Sequence, residues 1–125
     1  MVYAKTSLSC YDQPPAAVNT DQIIQDLTAK YQPFPYVKDT HFQCAFGHLD
    51  GYSAVYYTYM WSLVIAKDMF SQFDKTNLLD PKTATRYRDT VLAPGGSAPA
   101  ADLVAKFLGR PFSFESYRQW LNEAN

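Results

Sequence analysis

The chain has very few of the residues from which a catalytic metal site is built. Its 125 residues include only two histidines, His41 and His48, and two glutamates, Glu115 and Glu123. The helical HExxH zinc motif needs histidines at i and i+4 with a glutamate between them. Here the histidines are seven positions apart with no glutamate between them, so the sequence excludes a complete site of this kind. A site formed by His41, Cys44 and His48 stays open as an alternative.

The chain also lacks a strong charge of one sign and any long hydrophobic run. Its 11 basic and 12 acidic residues give a net charge of −1 and form no basic stripe, so we expect no nucleic-acid partner. No apolar run approaches the roughly 20 residues of a membrane-spanning helix. We therefore expect no membrane partner.

Cysteine is scarce as well. Cys10 and Cys44 are the only two, and they stand in no CxxC or CxC spacing. This usage favours free, reduced thiols in an intracellular compartment. The first ten residues lack the apolar core of a signal peptide. We expect a cytoplasmic location.

The hydrophobic pattern predicts an all-α architecture in one domain or part of one. A hydrophobic share of 47% in 125 residues is enough to fill a single core. The pattern predicts about five or six helices, at about 3–11, 20–31, 52–73, 81–92, 98–108 and from 113 onward.

Local signals mark the ends of these helices. The predicted N-caps are Asn19 or Thr20, Asp80 before Pro81, Ser97 and Ser113, and Gly109 is a predicted left-handed stop. Residues 32–36 contain two prolines and cannot be helical. Residues 40–46 are expected to be extended, and residues 47–51 to form a glycine-bearing turn.

Residues 48–61 are the most informative part of the chain. They hold four of the ten tyrosines and one of the two histidines. On one helix, Tyr52, Tyr56 and Tyr59 would share a face, because i, i+4 and i+7 lie within about 60°. Each buried phenol needs a hydrogen-bond partner, so this cluster favours a surface that holds a polar, extended ligand. An aromatic core helix with satisfied hydroxyls is the alternative, and spacing does not decide between them.

Other features have simpler interpretations. The long predicted helix is apolar nearly all round, which is typical of a buried central helix. Arg86 and Arg88 are expected to be exposed, and Gly95–Ser97 to be a plain turn without the lysine of a phosphate-binding loop. Three aspartates are expected to be helix caps or surface ion-pair partners: Asp68, Asp80 and Asp89.

Several motifs, in order, resemble one known family. They are Phe46-Gly47-His48-Leu49-Asp50-Gly51-Tyr52-Ser53-Ala54, Tyr56-Tyr57-Thr58-Tyr59-Met60-Trp61-Ser62, Asp68-Met69-Phe70, Tyr87-Arg88, Leu92-Ala93-Pro94-Gly95-Gly96-Ser97 and Phe107-Leu108-Gly109-Arg110. Together they resemble the C-terminal part of the thimet oligopeptidase family of zinc metallopeptidases. That family includes neurolysin, oligopeptidase A and dipeptidyl carboxypeptidase.

The resemblance implies a piece of a larger enzyme. Residues 1–125 would be a single partial domain, the C-terminal portion of the catalytic lobe of a two-lobed helical peptidase. The intact enzyme would bind zinc through an HExxH helix upstream, whereas this chain alone would bind none. Its partners would be short unstructured peptides and the missing upstream catalytic segment.

The resemblance also assigns roles to individual residues. Tyr59 would donate a hydrogen bond to the oxyanion of the tetrahedral intermediate, and His48 would contact the substrate backbone near the scissile bond. Tyr52 would close over the peptide, while Tyr56 and Gly51 would lie against it. The activity implied is hydrolysis of short peptides in the intact enzyme, with the isolated chain inactive.

Two other functions stay open. One is a stand-alone helical module that binds a peptide or protein without catalysis, and the other is a purely structural half-domain. If the chain is a piece of a larger enzyme, the apolar surface that would face the missing catalytic segment should be exposed in the isolated chain. We therefore expect some self-association.

Overall fold

The computed structural model describes residues 1–123, and within that range the chain is helical with no strand. The all-α prediction is confirmed. Eight α-helices occur in this range: α1 (Val2–Tyr11), α2 (Thr20–Tyr31), α3 (Phe42–Ala45), α4 (His48–Tyr52), α5 (Thr58–Phe70), α6 (Pro81–Tyr87), α7 (Ala100–Leu108) and α8 (Glu115–Glu123). Short 3₁₀ turns lie at Pro15–Ala17, Val55–Tyr57 and Gly95–Ser97, and a π-helical segment lies at Arg88–Leu92.

The chain forms two compact units, Met1–Tyr59 and Met60–Asn125. Within residues 1–123, no helix has both the length and the apolar character needed to cross a bilayer. The interpretation of the whole chain as one partial domain stays a prediction.

Helix α2 begins and ends where its sequence signals indicate. The Asn19 side chain accepts a hydrogen bond from the Gln22 amide at 3.0 Å, which satisfies one free donor of the first turn. Asp21 lies in the first turn and Lys30 in the last, where each charge opposes the helix dipole. Ile24 forms the inward face and is 3% exposed.

The region from residue 40 to residue 57 differs from the prediction. It contains the short helices α3 and α4 rather than an extended segment and a glycine turn. Helices this short are unstable alone and depend on tertiary packing, so local propensity does not reveal them. The rings of Phe42 and Phe46 stack at 5.2 Å. Phe46 is buried and contributes to the core of the first unit.

The predicted helix from residue 52 to residue 73 is also interrupted. Ser53 has a φ of +48°, which ends α4 and prevents a continuous helix. Helix α5 therefore starts at Thr58 and ends at Phe70. Its expected burial is wrong as well, because Met60 and Trp61 are each 46% exposed.

The second unit is built around the apolar face of α7. Val104, Phe107 and Leu108 are buried there. Partly buried hydrophobic residues pack against them: Ile65, Met69, Phe73, Tyr87, Val91 and Phe112. Gly109 ends α7 with a φ of +73°, as predicted.

Three helix starts were predicted in this unit. The start at Asp80 is confirmed, the start at Ser113 is two residues early, and the start at Ser97 is wrong. Asp80 caps α6 by accepting the amides of Lys82 and Thr83 at 3.3 and 3.1 Å. Helix α8 starts at Glu115, two residues after Ser113. Ser97 caps nothing, because it ends a 3₁₀ turn and α7 starts at Ala100.

Asp68 is not the surface residue that the sequence suggested. Its side chain is fully buried, and its two carboxylate oxygens each accept a guanidinium N–H of Arg110 at 2.7 Å. The same carboxylate accepts the Ser113 amide at 2.8 Å and the Ser116 hydroxyl at 3.1 Å. One buried charge therefore joins α5 to the segment that leads into α8.

This network decides how the stability of the fold changes with pH. The Arg110 guanidinium, with the Ser113 amide and the Ser116 hydroxyl, holds the pKa of Asp68 below its usual range although burial opposes this. A carboxyl whose pKa is lower in the folded chain stabilises the fold above its unfolded pKa of about 4. That contribution is lost as the pH falls through the folded value.

We predict that Asp68→Asn lowers the free energy of unfolding by about 2–4 kcal/mol at pH 7, because several charge-assisted bonds to a buried group weaken together. Urea unfolding followed by tryptophan fluorescence measures this in the second unit, which contains Trp61 and Trp120. The difference in the free energy of unfolding between the unsubstituted chain and Asp68→Asn should shrink as the pH falls below 4.

Asp89→Asn is the matched control. Asp89 pairs with Arg88 at 2.7 Å, but both side chains are more than half exposed. An exposed pair of this kind contributes little to stability, because solvent screens the two charges. Equal effects of the two substitutions, or a difference that does not depend on pH, would contradict the structural role of Asp68.

Candidate functional site

Four of the predicted site residues come together on one surface of the first unit, which we call the tyrosine face: His48, Tyr52, Tyr56 and Tyr59. The ring of His48 lies 5.6 Å from that of Tyr52, 5.1 Å from that of Tyr56 and 5.8 Å from that of Tyr59. Tyr56 and Tyr59 are 4.9 Å apart, and Tyr52 and Tyr59 are 6.2 Å apart. Three phenols and an imidazole therefore converge within one small area.

The residues reach this area by a different route from the predicted one. Tyr52 ends α4, Tyr56 lies in the 3₁₀ turn, and Tyr59 is in the first turn of α5. They do not occupy one continuous helix face. The chain reverses after Tyr52, and this reversal brings the rings of Tyr56 and Tyr59 back beside the ring of Tyr52.

The tyrosine face is accessible and rich in hydrogen-bond donors. Tyr52 is 48% exposed and Tyr59 is 46% exposed. Desolvation raises the pKa of Tyr59, and the neighbouring Tyr52 and Tyr56 raise it further. The Tyr59 phenol therefore stays protonated at neutral pH and can donate to a carbonyl oxygen or an oxyanion.

A layer of rings beneath this face supports it. Phe46 is buried and lies 5.0 Å from the Tyr56 ring and 5.5 Å from the His48 ring. Tyr3, from α1, stacks on Phe42 at 5.3 Å and meets Tyr56 edge-on at 5.9 Å. Sequence reasoning did not include Tyr3, Phe42 or Phe46 in the site. The i, i+4 spacing of Phe42 and Phe46 was the sequence signal that could have indicated that these two rings lie together.

The reversal after Tyr52 is a type II′ turn. Its central residues, Ser53 and Ala54, have φ and ψ of 48° and −124° and of −81° and −1°. The first central position strongly favours glycine, because L-residues avoid positive φ there. A serine in this conformation costs about 1–3 kcal/mol and persists only where surrounding structure holds it.

Helix α1 supplies that surrounding structure. The Ser7 hydroxyl donates to the Ser53 carbonyl and accepts the Tyr56 amide at 3.4 Å. One turn further along α1, the Tyr11 hydroxyl donates to the Leu49 carbonyl in α4. The turn, α4 and the 3₁₀ segment Val55–Tyr57 are thus all tied to α1.

Gly51, the fifth predicted site residue, lies within α4 rather than in a glycine loop. Its φ is not positive, and a Cβ built at this position meets no atom within 4 Å. The local backbone therefore does not require glycine here.

The three residues considered as an alternative metal site do not form one. Within residues 1–123, no group of three or more His, Cys, Asp or Glu side chains is placed to hold a metal ion. His41 instead pairs with Asp21 through Nδ1 at 2.8 Å. Hydrogen bonds from His41 and Gln43 lower the pKa of Asp21.

A cavity of about 380 Å³ in the second unit contains none of the predicted site residues. Apolar side chains such as Met69, Phe70 and Phe73 form most of its lining. The convergent donors are on the open tyrosine face instead.

The sequence pattern of peptidase family M3 matches residues 1–123. The chain belongs to peptidase family M3. The motifs that surround the tyrosine face lie inside the matched range.

Individual relatives agree with this family. The chain is 35% identical over 97 residues to "Thimet-like oligopeptidase" of Dictyostelium discoideum, covering 77% of this chain and 14% of that protein. It is 35% identical over 103 residues to "Probable cytosolic oligopeptidase A" of Arabidopsis thaliana, covering 78% and 15%. It is 33% identical over 116 residues to "Mitochondrial intermediate peptidase" of Schizophyllum commune, covering 87% and 15%. The chain thus spans about one seventh of the length of these relatives.

We predict that Gly51→Ala stabilises the first unit by about 0.5–1 kcal/mol, because alanine is favoured over glycine inside a helix. Gly109→Ala is the control and should lower the stability of the fold, because the φ of +73° at this position is unfavourable for any residue with a side chain. Thermal unfolding followed by circular dichroism measures both. A loss of stability in Gly51→Ala would contradict the helical conformation of α4.

Proposed function

We propose that this chain is the substrate-binding segment of a zinc metallopeptidase that hydrolyses short, unstructured peptides. Membership of peptidase family M3 supports the class of reaction. The observation that carries the proposal for this segment is the convergence of His48, Tyr52, Tyr56 and Tyr59 on one accessible face. Phenol and imidazole donors at this spacing suit the carbonyl groups of an extended peptide.

Tyr59 has the central role in this proposal. Hydrolysis of a peptide bond turns the planar carbonyl into a tetrahedral oxyanion, so negative charge appears only in the transition state. A protonated phenol that donates to that oxygen stabilises the transition state more than the substrate. His48, whose ring lies 5.8 Å from that of Tyr59, would hold the substrate backbone beside it.

Tyr52 and Tyr56 would bind the peptide on either side of this donor. Tyr52 is exposed at the end of α4, so it can close over a bound peptide. Tyr56 is packed against Phe46 and Tyr3, so it would form a rigid wall. Gly51, without a side chain, would leave room for the peptide beside Tyr52.

Zinc does not fit the residues of this segment. The sequence contains no HExxH motif, and the described residues place no three ligands together. The metal and its general base would therefore have to come from residues outside this chain. For that reason we propose that the isolated chain binds peptides without hydrolysing them.

The same reasoning identifies a second partner, the segment that carries the zinc site. Large apolar side chains remain on the surface of the chain, including Phe34 at 76% and Leu79 at 90% exposure. We propose that such residues pack against that catalytic segment, and that the isolated chain self-associates through them. A monomeric mass in light scattering would contradict self-association. For the compartment we propose the cytoplasm, although the relatives include proteins named cytosolic and mitochondrial.

We predict that Tyr59→Phe, in a peptidase that carries this segment together with the zinc site, lowers kcat by about 10²–10³. KM should change little, because the lost bond forms mainly in the transition state. Tyr57→Phe is the matched control, since Tyr57 is 54% exposed and lies outside the tyrosine face. A large rise in KM with normal kcat would assign Tyr59 to ground-state binding instead.

We predict that the purified chain binds an unstructured peptide of about ten residues and leaves it intact, with or without added zinc. NMR titration should shift the signals of Tyr52 and Tyr59, and mass spectrometry should find no cleavage. Hydrolysis by the isolated chain would overturn the assignment of the zinc site to other residues. Absence of binding would favour a purely structural segment.

A further inference from the structure

We propose that Ser7 is a positioning residue for the tyrosine face, acting through the turn at Ser53. The expected effect of Ser7 on peptide binding rests on the proposed function. The role of Ser7 in holding the turn rests only on contacts within the first unit. Ser7 is 1% exposed and lies in the middle of α1, 46 residues from Ser53 in sequence.

The hydroxyl of Ser7 forms its hydrogen bonds outside its own helix. A serine inside a helix commonly bonds to a backbone carbonyl of its own helix. The Ser7 hydroxyl instead donates to the Ser53 carbonyl and accepts the Tyr56 amide at 3.4 Å. Both bonds cross to the turn, one inside it and one just after it.

The carbonyl that Ser7 contacts is the one that defines the turn. In a type II′ turn the carbonyl of the first central residue belongs to the central peptide, whose orientation distinguishes this turn from type I′. Ser53 holds this orientation with a φ of +48° and a ψ of −124°. A buried donor on that oxygen therefore opposes rotation of the peptide plane.

The backbone conformation of Ser53 decides where Tyr52 lies relative to the other two tyrosines. Tyr52 comes immediately before the turn, and Tyr56 and Tyr59 come after it. Without the Ser7 bond, Ser53 can relax from its φ of +48° to the negative φ that serine prefers. This relaxation would change the direction in which the chain leaves the turn, and the 6.2 Å approach of Tyr52 to Tyr59 would be lost. Ser7 would thus act on the site without touching the substrate.

This role makes a specific prediction about two substitutions together. Glycine adopts positive φ without a side-chain penalty, so Ser53→Gly should hold the turn without help from Ser7. The effect of Ser7→Ala should then be large in the natural chain and small in the Ser53→Gly chain. Additive effects would mean that Ser7 does not act through Ser53.

The experiment compares four full-length chains: unsubstituted, Ser7→Ala, Ser53→Gly and the double variant. Amide exchange of Tyr56 and ring-to-ring nuclear Overhauser effects between Tyr52 and Tyr59 report the turn directly. In Ser7→Ala we expect Tyr56 exchange to rise about tenfold and the Overhauser effects to weaken, with both restored in the double variant. Ser9→Ala, the same change two residues further along α1, should alter neither.

Peptide binding is the second readout. We expect Ser7→Ala to raise the Kd for an unstructured peptide about tenfold, and the double variant to stay within about threefold of Ser53→Gly. Unchanged exchange and Overhauser effects in Ser7→Ala would overturn the proposal. If Ser7→Ala unfolds, recovery of helical circular dichroism in the double variant supports the proposal, and failure to recover overturns it.

The two readouts separate this inference from the proposed function. If the unsubstituted chain binds no peptide, the proposed function fails, and the exchange and Overhauser data alone decide whether Ser7 holds the turn. If the chain binds peptide and Ser7→Ala changes nothing, the proposed function stands and the role of Ser7 is wrong.

Discussion

The left-handed backbone at Ser53 is the constraint on which the candidate site depends. It ends α4, starts a tight reversal and returns the chain so that Tyr56 and Tyr59 meet Tyr52 and His48. Such a conformation is costly for serine and does not persist alone. Packing of α1 against this segment, with the Ser7 hydroxyl on the turn carbonyl, provides the compensation. The geometry of the exposed face is therefore decided in the buried layer beneath it.

Each unit uses one buried polar residue to hold a segment that has little regular structure of its own. In the first unit, Ser7 holds the turn between α4 and α5. In the second, Asp68 holds Arg110 and the start of the chain into α8. Both side chains are almost fully buried, and both bond to backbone groups, while Asp68 also bonds to the side chains of Arg110 and Ser116. Buried polar groups need complete partners, so each one specifies a single arrangement of its segment.

The chemistry available on this chain is that of donors rather than of metal ligands. The chain belongs to peptidase family M3, and its tyrosine face offers phenol hydroxyls beside an imidazole. These groups can bind and orient a peptide and stabilise a developing oxyanion. Under the proposed function, this segment binds the substrate and another segment holds the metal.

Sequence alone was sufficient for the class of fold, most helix ends and the four residues that meet on the tyrosine face. The Asn19 and Asp80 caps and the Gly109 stop follow from local hydrogen bonding and steric rules, so they were predictable from neighbouring residues. Sequence was not sufficient for α3, α4, the turn at Ser53 or the burial of Asp68. Each of these depends on partners far away in the chain, Tyr3, Ser7 or Arg110, and a local pattern contains no information about such contacts. The residues of the tyrosine face were thus determined by sequence, whereas their arrangement was decided by tertiary packing, because only packing holds a serine at positive φ.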